Sequence, residues 1–279
     1  MVARAATEPA DEVILDLEDA VAADPEAKRR ARSELVPLLE SIDFGGRTVA
    51  VRINSVDGPL ALQDLLELVP RVGPRISTLV VPKVSRPSQV GFLEHCLDAL
   101  EPAGSPRLGL EIQIEDPAGL EAVSELARCS PRLEALIFGP GDFAAAMGMP
   151  QTAIGAPVED YPGDVWLLPL FRMAVAARAR GLQAIDGPFS RLSDPEGLEA
   201  ACRRAAALGL DGKWAIHPEQ LETINRLLRP SASQVARARA VLAQVASLGG
   251  ASRLGQEMVD EANRRMAEAV LARWEGGPE

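Results

Sequence analysis

Residues 109–142 read GLEIQIEDPAGLEAVSELARCSPRLEALIFGPGD, and this stretch decides the fold. Its two short runs rich in apolar residues, at 110–114 and 136–139, are typical of strands that are buried in a parallel sheet. Between them Asp116 can act as an N-cap and Pro117 as the first helical residue, and the apolar residues that follow recur with helical spacing. The stretch therefore predicts a strand, a crossover helix and a second parallel strand.

Each apolar run leads into a carboxylate, Glu115 after the first and Asp142 after the second. Because neighbouring parallel strands end at the same edge, we expect both acids there, on strands about 5 Å apart. That edge is where α/β proteins carry out chemistry, and two hard oxygen ligands would suit Mg²⁺. A long loop at 149–164, rich in Pro and Gly, is expected to cover it. From the residues alone, metal ligation and helix capping stay equal alternatives for Glu115 and Asp142, whereas Asp116 favours capping.

The same alternation of strand and helix runs through most of the chain. Further strands are predicted at 12–19, 48–54, 78–83, 182–188 and 212–218, which makes seven strand–helix units. Seven units predict an α/β fold, a TIM (β/α)8-type barrel with right-handed crossovers, over residues 1–229. Residues 1–11 read as a helix end and a turn, so we expect the natural protein to start upstream and the first barrel strand to be absent from this chain.

Residues 230–279 form the second predicted part, a C-terminal helical extension. Helical patterns cover about 231–247 and 256–273, and no strand is expected between them. The apolar stripe of these helices must be covered by the barrel or by a neighbouring subunit.

Composition and charge narrow the class of protein. A chain of 279 residues with 47% hydrophobic residues fits one large core. The net charge of −11, with no basic run, argues against nucleic acid or an anionic membrane as a partner. Three widely spaced cysteines, Cys96, Cys129 and Cys202, sit in apolar helical patterns and favour core thiols in a reducing compartment. Together with the absence of an apolar leader at the N-terminus, this predicts a soluble, cytoplasmic protein.

Six motifs occur along the chain in one order: LDLEDAV at 15–21, VRIN at 51–54, VPK at 81–83, IE at 114–115, GPGD at 139–142 and IHP at 216–218. On these motifs the chain resembles the citrate lyase β-subunit/malyl-CoA lyase family, the HpcH/HpaI aldolases. AIDGP at 184–188, followed by GKWAIHP at 212–218, is most similar to the L-malyl-CoA/β-methylmalyl-CoA lyase branch.

The resemblance implies a magnesium-dependent TIM barrel with a C-terminal extension, assembled as a homotrimer or a hexamer. It implies Glu115 and Asp142 as the metal ligands, with Mn²⁺ able to replace Mg²⁺. Glu18 and Asp19 match acids that hold metal-bound waters, and Arg52 matches the arginine that contacts the substrate's oxygens. The alternative for Arg52 is a strand arginine paired with Glu18 or Asp19.

The same resemblance implies a coenzyme A pocket. Lys83 matches a position that lines it, although a place on the surface rim is equally open. Gly139, Asp186 and His217 lie in the remaining motifs and are expected to bind substrate or coenzyme A. His217 more readily serves through its backbone and a core hydrogen bond than as a base.

Asp260 matches an acid of the extension that reaches a neighbour's active site, where it would exchange a proton with a methyl carbon. From the residues alone, Asp260 is a helix-start acid. Asp116 and Gly141 depart from the family pattern, in which Ser or Thr follows the first ligand and Glu or Asn precedes the second. An extra carboxylate at Asp116 would alter the choice of substrate. Trp166, Trp214 and Trp274 are taken as packing residues.

The resemblance predicts reversible cleavage of a 3-hydroxyacyl-CoA, such as malyl-CoA or β-methylmalyl-CoA, to acetyl-CoA or propionyl-CoA and glyoxylate. Close alternatives are a citramalyl-CoA or citryl-CoA lyase like the citrate lyase β-subunit, and a malate synthase or thioesterase variant. A different enzyme class is a Schiff-base aldolase that uses Lys83 without metal. A non-enzyme alternative is a catalytically silent oligomeric protein that binds coenzyme A.

Overall fold

The computed structural model describes residues 2–150, 153–248 and 252–275. The chain forms two compact units that divide between Thr223 and Ile224. In the first unit seven parallel strands form one sheet, and their order in the sheet is their order in the sequence. The strands are β1 (Glu12–Asp16), β2 (Thr48–Arg52), β3 (Thr78–Val81), β4 (Gly109–Ile114), β5 (Leu133–Phe138), β6 (Gln183–Asp186) and β7 (Gly212–Lys213).

Most of the helices connect successive strands and return the chain to the edge of the sheet where the strands begin, but the first precedes β1 and the tenth follows β7. They are α1 (Val2–Ala5), α2 (Pro25–Ser41), α3 (Leu60–Val72), α4 (Pro87–Leu100), α5 (Pro117–Glu121), α6 (Val123–Leu126), α7 (Pro140–Met147), α8 (Leu167–Arg178), α9 (Pro195–Ala207) and α10 (Leu221–Leu228). Three of them begin with the same device, an aspartate N-cap followed by proline: Asp24, Asp116 and Asp194 each accept a hydrogen bond from the backbone N–H three residues on.

The sheet is curled, because side chains from strands that are not neighbours meet on its inner face. One cluster joins residues from β1, β2, β3, β5 and β6 with Trp214, which follows β7: Ile14, Ala50, Val80, Ile137, Ile185 and Trp214. The guanidinium carbon of Arg52, at the end of β2, lies 5.2 Å from the centre of the Trp214 ring. The first unit is thus an α/β fold with a curled, parallel seven-stranded sheet, consistent with a TIM-like barrel.

The structure differs from the sequence predictions in several details, and most of the predicted strands end a few residues earlier than expected. The last strand ends at Lys213 rather than near residue 218, since His217 and Pro218 already begin a short 3₁₀ turn, Pro218–Gln220. The first strand ends at Asp16 rather than 19. The crossover helix between β4 and β5 is split into α5 and α6, because Ala122 leaves the helical conformation and the carbonyl of Glu121 accepts a hydrogen bond from the Arg172 side chain.

The second unit contains α11 (Ala232–Leu248) and α12 (Glu261–Glu275), and its core includes Val241 and Val259. The prediction that no strand separates its helices is wrong. An antiparallel hairpin, β8 (Ser252–Leu254) and β9 (Glu257–Val259), lies between them. Gly255, with φ +64°, permits the turn, because residues with a Cβ rarely adopt that conformation. Among the helices in the described ranges, none is long and apolar enough to cross a membrane.

Candidate active site

Glu115 and Asp142 lie at the same edge of the sheet. β4 and β5 pair in parallel up to Ile114 and Phe138; Glu115 is the next residue after β4, and Asp142 lies in the first turn of α7 after β5. The N–H of Gly139 donates to the Ile114 carbonyl at 3.0 Å, and a Cβ at Gly139 would overlap the Glu115 side chain. Glycine is therefore required here so that the Glu115 carboxylate can stand against the end of the next strand.

The carboxylate of Glu115 is almost fully enclosed, with 4% of the residue exposed. Its Oε1 accepts a hydrogen bond from the backbone N–H of Lys83 at 2.5 Å. Burial, followed by the negative charges of Glu18 and Asp142, raises the pKa of Glu115 to about 8. Such a carboxylate gains free energy from any cation that approaches it, so a divalent metal fits this position.

Lys83 and Glu18 stand beside this pair of acids. The ammonium of Lys83 donates to Oε1 of Glu18 at 2.5 Å and lies 3.8 Å from Oδ2 of Asp142. Burial raises the pKa of Glu18, although Lys83 and Arg52 offset part of the effect. Oε2 of Glu18 is buried and 3.1 Å from Nη1 of Arg52, yet it makes no hydrogen bond of good geometry. An inward-facing acceptor of this kind is suited to a ligand or a metal-bound water.

The structure places Arg52 at the centre of the edge. Two of its nitrogens are held by Asp16, with Nε 2.8 Å from Oδ1 and Nη2 2.6 Å from Oδ2. The third, Nη1, faces Glu18 and lies 3.7 Å from the exposed carboxylate of Asp19. Burial opposes ionisation of Asp16, but the hydrogen bonds and charge of Arg52 outweigh it and lower the pKa of Asp16. The side of the guanidinium that carries Nη1 thus remains directed at the site.

Two residues that stabilise this edge of the sheet were not identified from the sequence. Asp16, rather than Glu18 or Asp19, is the main partner of Arg52. Asp16 and Glu18 are two residues apart, and this spacing, which puts side chains of an extended segment on the same face, could have indicated it. Lys28 is buried, and its ammonium donates to the carbonyls of Leu17 (2.8 Å) and Glu18, which fixes the segment that carries Glu18. The scarcity of lysine in the chain, three residues in all, was the signal for Lys28.

Asp186, at the end of β6, is engaged in a buried ion pair. Its Oδ2 accepts from the ammonium of Lys213 at 2.6 Å, and the same ammonium donates to the Gly187 carbonyl at 2.7 Å. Gly187 packs so closely on the carbonyl of Phe138 and on Pro140 that a Cβ there would overlap both. Asp186 therefore lies behind the turn that leads to Asp142, and its predicted contact with substrate or coenzyme A stays a prediction.

His217 caps the 3₁₀ turn, because its Nδ1 accepts from the N–H of Glu219 at 3.3 Å. This is a structural use of the ring, and a role toward substrate or coenzyme A stays a prediction. Asp116 caps α5 through the N–H of Gly119 at 2.5 Å, as the residues alone favoured. Its carboxylate is thus committed to the helix rather than added to the acids of Glu115 and Asp142.

Asp260 lies in the second unit, where it begins α12. Its Oδ1 accepts from the N–H groups of Ala262 (2.9 Å) and Asn263 (3.2 Å), and its own N–H donates to the Asn263 side chain at 2.9 Å. These bonds are those of a helix N-cap. A catalytic role for Asp260 stays a prediction.

The loop expected over the site, 149–164, is described except for Gln151 and Thr152, which lie outside the described residues. Its Ile154 carbonyl accepts from the N–H of Ser190 at 3.0 Å, and its Ala156 carbonyl accepts from Nε1 of Trp166 at 2.9 Å. A Cβ at Gly141 would come within 3.3 Å of the Ile154 side chain. The loop is therefore anchored directly beside the turn that carries Asp142.

The residues present fit Mg²⁺. Across the described ranges no three His, Cys, Asp or Glu side chains surround one point, so an ion here would take two protein carboxylates. Mg²⁺ is often held in this way, because it keeps several waters and accepts substrate oxygens at its other positions. Glu115 and Asp142 supply hard oxygen atoms, the ligand type that Mg²⁺ prefers.

The chain is similar to known proteins of one family. The family model for HpcH/HpaI aldolase/citrate lyase matches residues 1–218. The chain is 38% identical over 277 residues to the L-malyl-CoA/beta-methylmalyl-CoA lyase of Rhodobacter capsulatus, over 94% of this chain and 86% of that protein. It is 34% identical over 247 residues to the (3S)-malyl-CoA thioesterase of Cereibacter sphaeroides, over 88% of this chain and 78% of that protein.

A solved structure is also similar. The crystal structure of protein CitE from Mycobacterium tuberculosis in complex with magnesium, acetoacetate and coenzyme A matches with a TM-score of 0.77 at 30% identity, covering 96% of this chain and 91% of that chain. The family match takes in every strand of the first unit and both Glu115 and Asp142. The chain therefore belongs to the HpcH/HpaI aldolase/citrate lyase family.

Proposed function

We propose that this protein is a magnesium-dependent carbon–carbon lyase that acts on a coenzyme A ester. Its substrate is a 3-hydroxyacyl-CoA of the malyl-CoA or β-methylmalyl-CoA type, cleaved reversibly to acetyl-CoA or propionyl-CoA and glyoxylate. The observation that carries the proposal is the meeting of Glu115, Asp142 and Arg52 at the carboxyl edge of the sheet. The names of the relatives, a malyl-CoA/methylmalyl-CoA lyase and a complex with magnesium and coenzyme A, support the class of substrate.

Each side chain of the site has a separate role in this proposal. Glu115 and Asp142 hold the metal, which when bound polarises the hydroxyl and carboxylate oxygens of the substrate. Arg52 directs Nη1 toward the oxygen on which negative charge grows, and Asp16 keeps the guanidinium in that orientation. Glu18 and Asp19 would hold water molecules beside the metal.

Cleavage breaks the bond between the hydroxyl-bearing carbon and the carbon next to the thioester. The hydroxyl gives its proton to a water molecule at the site and its carbon becomes the aldehyde carbon of glyoxylate, while the electron pair of the broken bond passes to the acyl-CoA carbon. That carbon must gain a proton to give acetyl-CoA, and we assign this step to Asp260 of a neighbouring subunit. The assignment of Asp260 rests on its place in the family pattern.

A Schiff-base mechanism at Lys83 is disfavoured by the surroundings of its amine. Burial opposes the charge of Lys83, but the hydrogen bond and charge of Glu18, together with Asp142, outweigh it and raise the pKa of Lys83. A protonated amine is not a nucleophile. We instead propose that Lys83 lines the coenzyme A pocket, with Gly139, Asp186 and His217 as further groups that bind substrate or coenzyme A.

The same proposal includes the finer features of the family. These are a (β/α)8-type barrel in which a further strand would lie between β1 and β7, a homotrimer or hexamer, replacement of Mg²⁺ by Mn²⁺, and a cytoplasmic location. Each is an inference from the family pattern.

A second candidate adds hydrolysis of the malyl-CoA thioester, in which malyl-CoA, supplied or formed by condensation of acetyl-CoA with glyoxylate, reacts with water to release free malate and free coenzyme A. It is favoured by the likeness to the (3S)-malyl-CoA thioesterase. A lyase and a thioesterase of this kind differ in whether free coenzyme A is released.

The test is a screen of coenzyme A esters, including malyl-, β-methylmalyl-, citramalyl- and citryl-CoA, with products identified by mass spectrometry. We expect acetyl-CoA or propionyl-CoA and glyoxylate with Mg²⁺, and none with a metal chelator. Free coenzyme A and malate would favour the thioesterase. Turnover that persists in chelator would contradict the metal-dependent lyase, and binding of the esters without any product would favour a catalytically silent protein.

A further inference from the structure

Lys83 has an uncommon backbone conformation. Its φ is +57°, and Asp160 is the other non-glycine residue with positive φ among those described. The left-handed region is disfavoured for residues with a side chain, so the surrounding structure must hold Lys83 there. When such strain persists at a candidate site, it is a reason to look for what the conformation provides.

The conformation lets one residue serve two carboxylates. The backbone N–H of Lys83 points at Oε1 of Glu115 (2.5 Å), while its side chain turns to Oε1 of Glu18 (2.5 Å). The N–H of Lys83 thus donates to the carboxylate of Glu115, a residue that is 4% exposed and that we assign as a metal ligand. A hydrogen bond from a fixed backbone group orients such a ligand before the metal binds.

The turn is held by the side chain of Gln89, which lies in the first turn of α4 and is 4% exposed. Oε1 of Gln89 accepts from the N–H groups of Ser85 (2.8 Å) and Arg86 (2.9 Å). Its Nε2 donates to the carbonyl of Lys83 (3.2 Å) and to Asp57 (3.1 Å). The amide thus makes four hydrogen bonds, as many as a glutamine amide can, and three of them bind the backbone between residues 83 and 86.

The opposite side of the turn is enclosed by backbone. The N–H of Val84 donates to the Gln113 carbonyl at 3.4 Å, and a Cβ at Gly119 would lie 2.7 Å from the Val84 carbonyl oxygen. The turn therefore has no room to relax toward β4 and α5. Gln89 fixes it from the side of α4.

We propose that Gln89 is a positioning residue for the metal site. Its side chain holds the left-handed turn at Lys83, and the backbone N–H in that turn orients the carboxylate of Glu115. This inference rests on the proposed function, since it takes Glu115 as a ligand of Mg²⁺. Gln89 itself acts through Lys83.

The test is Mg²⁺ binding by isothermal titration calorimetry, with no substrate present. Gln89→Met keeps the length and burial of the side chain and removes its four hydrogen bonds. We expect it to weaken Mg²⁺ binding by about 10-fold or more, the usual effect of losing a group that orients a metal ligand. Thermal melts recorded alongside separate this effect from unfolding.

Gln220→Met is the matched control. Gln220 is also 4% exposed and also clamps a loop, since it accepts from the N–H of Ile216 (2.9 Å) and donates to the Phe189 carbonyl (2.8 Å). Its loop holds neither Glu115 nor Asp142. We expect Gln220→Met to change the melting temperature by a similar amount and to bind Mg²⁺ like the natural sequence.

A double-mutant cycle tests the route through the backbone. Glycine adopts positive φ without steric cost and keeps its N–H, so in the Lys83→Gly background the turn needs Gln89 less. The fold-loss of Mg²⁺ affinity caused by Gln89→Met should therefore be smaller in that background. If Gln89→Met does not fold, Gln89→Glu replaces it in the cycle, because Glu keeps the acceptors and loses both donors.

The outcomes separate the two proposals. If the natural sequence binds no Mg²⁺, the metal site fails, and this inference fails with it. If the natural sequence binds Mg²⁺ and Gln89→Met binds it equally well, only the positioning role is overturned. Equal losses for Gln89→Met and Gln220→Met, or an unchanged loss in the Lys83→Gly background, would also overturn it.

Discussion

Arg52 and Asp16 form a two-point salt bridge, with Nε 2.8 Å from Oδ1 and Nη2 2.6 Å from Oδ2. The pair commits two of the three guanidinium nitrogens and leaves Nη1 facing Glu18 and Asp19. A bidentate contact of this kind fixes the orientation of the guanidinium in addition to pairing its charge. The structure therefore assigns Asp16 a task that the sequence alone did not reveal, which is to aim Arg52.

Asp16→Asn should lower kcat more than it raises KM. Asparagine keeps the size of the side chain but loses the charge and one acceptor, so Arg52 can rotate away from the developing charge. A misplacement of about 1 Å costs on the order of 100-fold in rate. Steady-state kinetics of acetyl-CoA formation measure the split. Asp98→Asn, which weakens the salt bridge between this exposed aspartate and the buried Arg132, away from the candidate site, is the control. Equal effects of the two substitutions would contradict a role for Asp16 at the site.

Lys83 should form no covalent adduct with an oxo acid. Its ammonium is held by Glu18 and lies near Asp142, and the raised pKa keeps it protonated. Incubation with glyoxylate and borohydride, followed by intact-mass measurement, is expected to leave the mass at residue 83 unchanged. A reduced adduct mapped to Lys83 by peptide mass spectrometry would restore the Schiff-base mechanism.

The raised pKa of Glu12, a residue outside the candidate site, predicts that the stability of the protein depends on pH. It lies at the start of β1, and burial followed by the charge and hydrogen bond of Glu111 raises the pKa of Glu12 to about 8. Glu111 accepts from Thr78 Oγ1 at 3.0 Å, burial raises its pKa as well, and Glu134 adds negative charge. The native protein thus keeps a proton that the unfolded chain releases near pH 4.5.

The sign follows from this difference in bound protons. Between about pH 5 and 8 the native state binds more protons than the unfolded state, so the free energy of unfolding falls as the pH rises, by at most about 1.4 kcal/mol per pH unit for one proton. Glu12→Gln should remove part of this slope in urea unfolding with a metal chelator present. Glu125→Gln, at an exposed position, is the control; a slope unchanged by Glu12→Gln would contradict the shifted pKa.

Asp260 can be tested by mixing subunits. Chains carrying Asp260→Ala and chains carrying Glu115→Gln should each be nearly inactive, whereas exchanged oligomers should regain part of the activity. Some sites would then combine an intact first unit with an intact Asp260 from a neighbour. If mass spectrometry confirms exchange and no activity returns, Asp260 does not act across subunits.

Much of the first unit could be predicted from local sequence. Buried parallel strands are continuous apolar runs, and Asp-Pro pairs mark the helix starts at Asp24, Asp116 and Asp194. The order of the strands then follows from the short helical crossovers. Glu115 and Asp142 could be placed at one edge for the same reason, since each directly follows a strand or its turn.

Contacts between distant parts of the chain could not be predicted. The cation–π contact of Arg52 with Trp214 depends on the curl of the sheet, and the Asp16 salt bridge depends on the pairing of β1 with β2. The left-handed conformation of Lys83 has no sequence signal, because the turn residues that usually mark it are glycine and asparagine. The hairpin at Ser252–Val259 was not predicted, because its strands have three residues each, too few to show an alternation of apolar and polar residues.

The central claim is that Glu115 and Asp142 hold the Mg²⁺ that carbon–carbon cleavage requires. The most direct measurement is the rate of acetyl-CoA and glyoxylate formation from malyl-CoA by Glu115→Gln and Asp142→Asn at saturating Mg²⁺. We expect each rate to fall by at least about 100-fold. Melting temperatures should be retained, because glutamine keeps the size of Glu115 and can still accept the hydrogen bond from the Lys83 N–H, and Asp142 is about half exposed. A natural rate in either folded variant would contradict the claim.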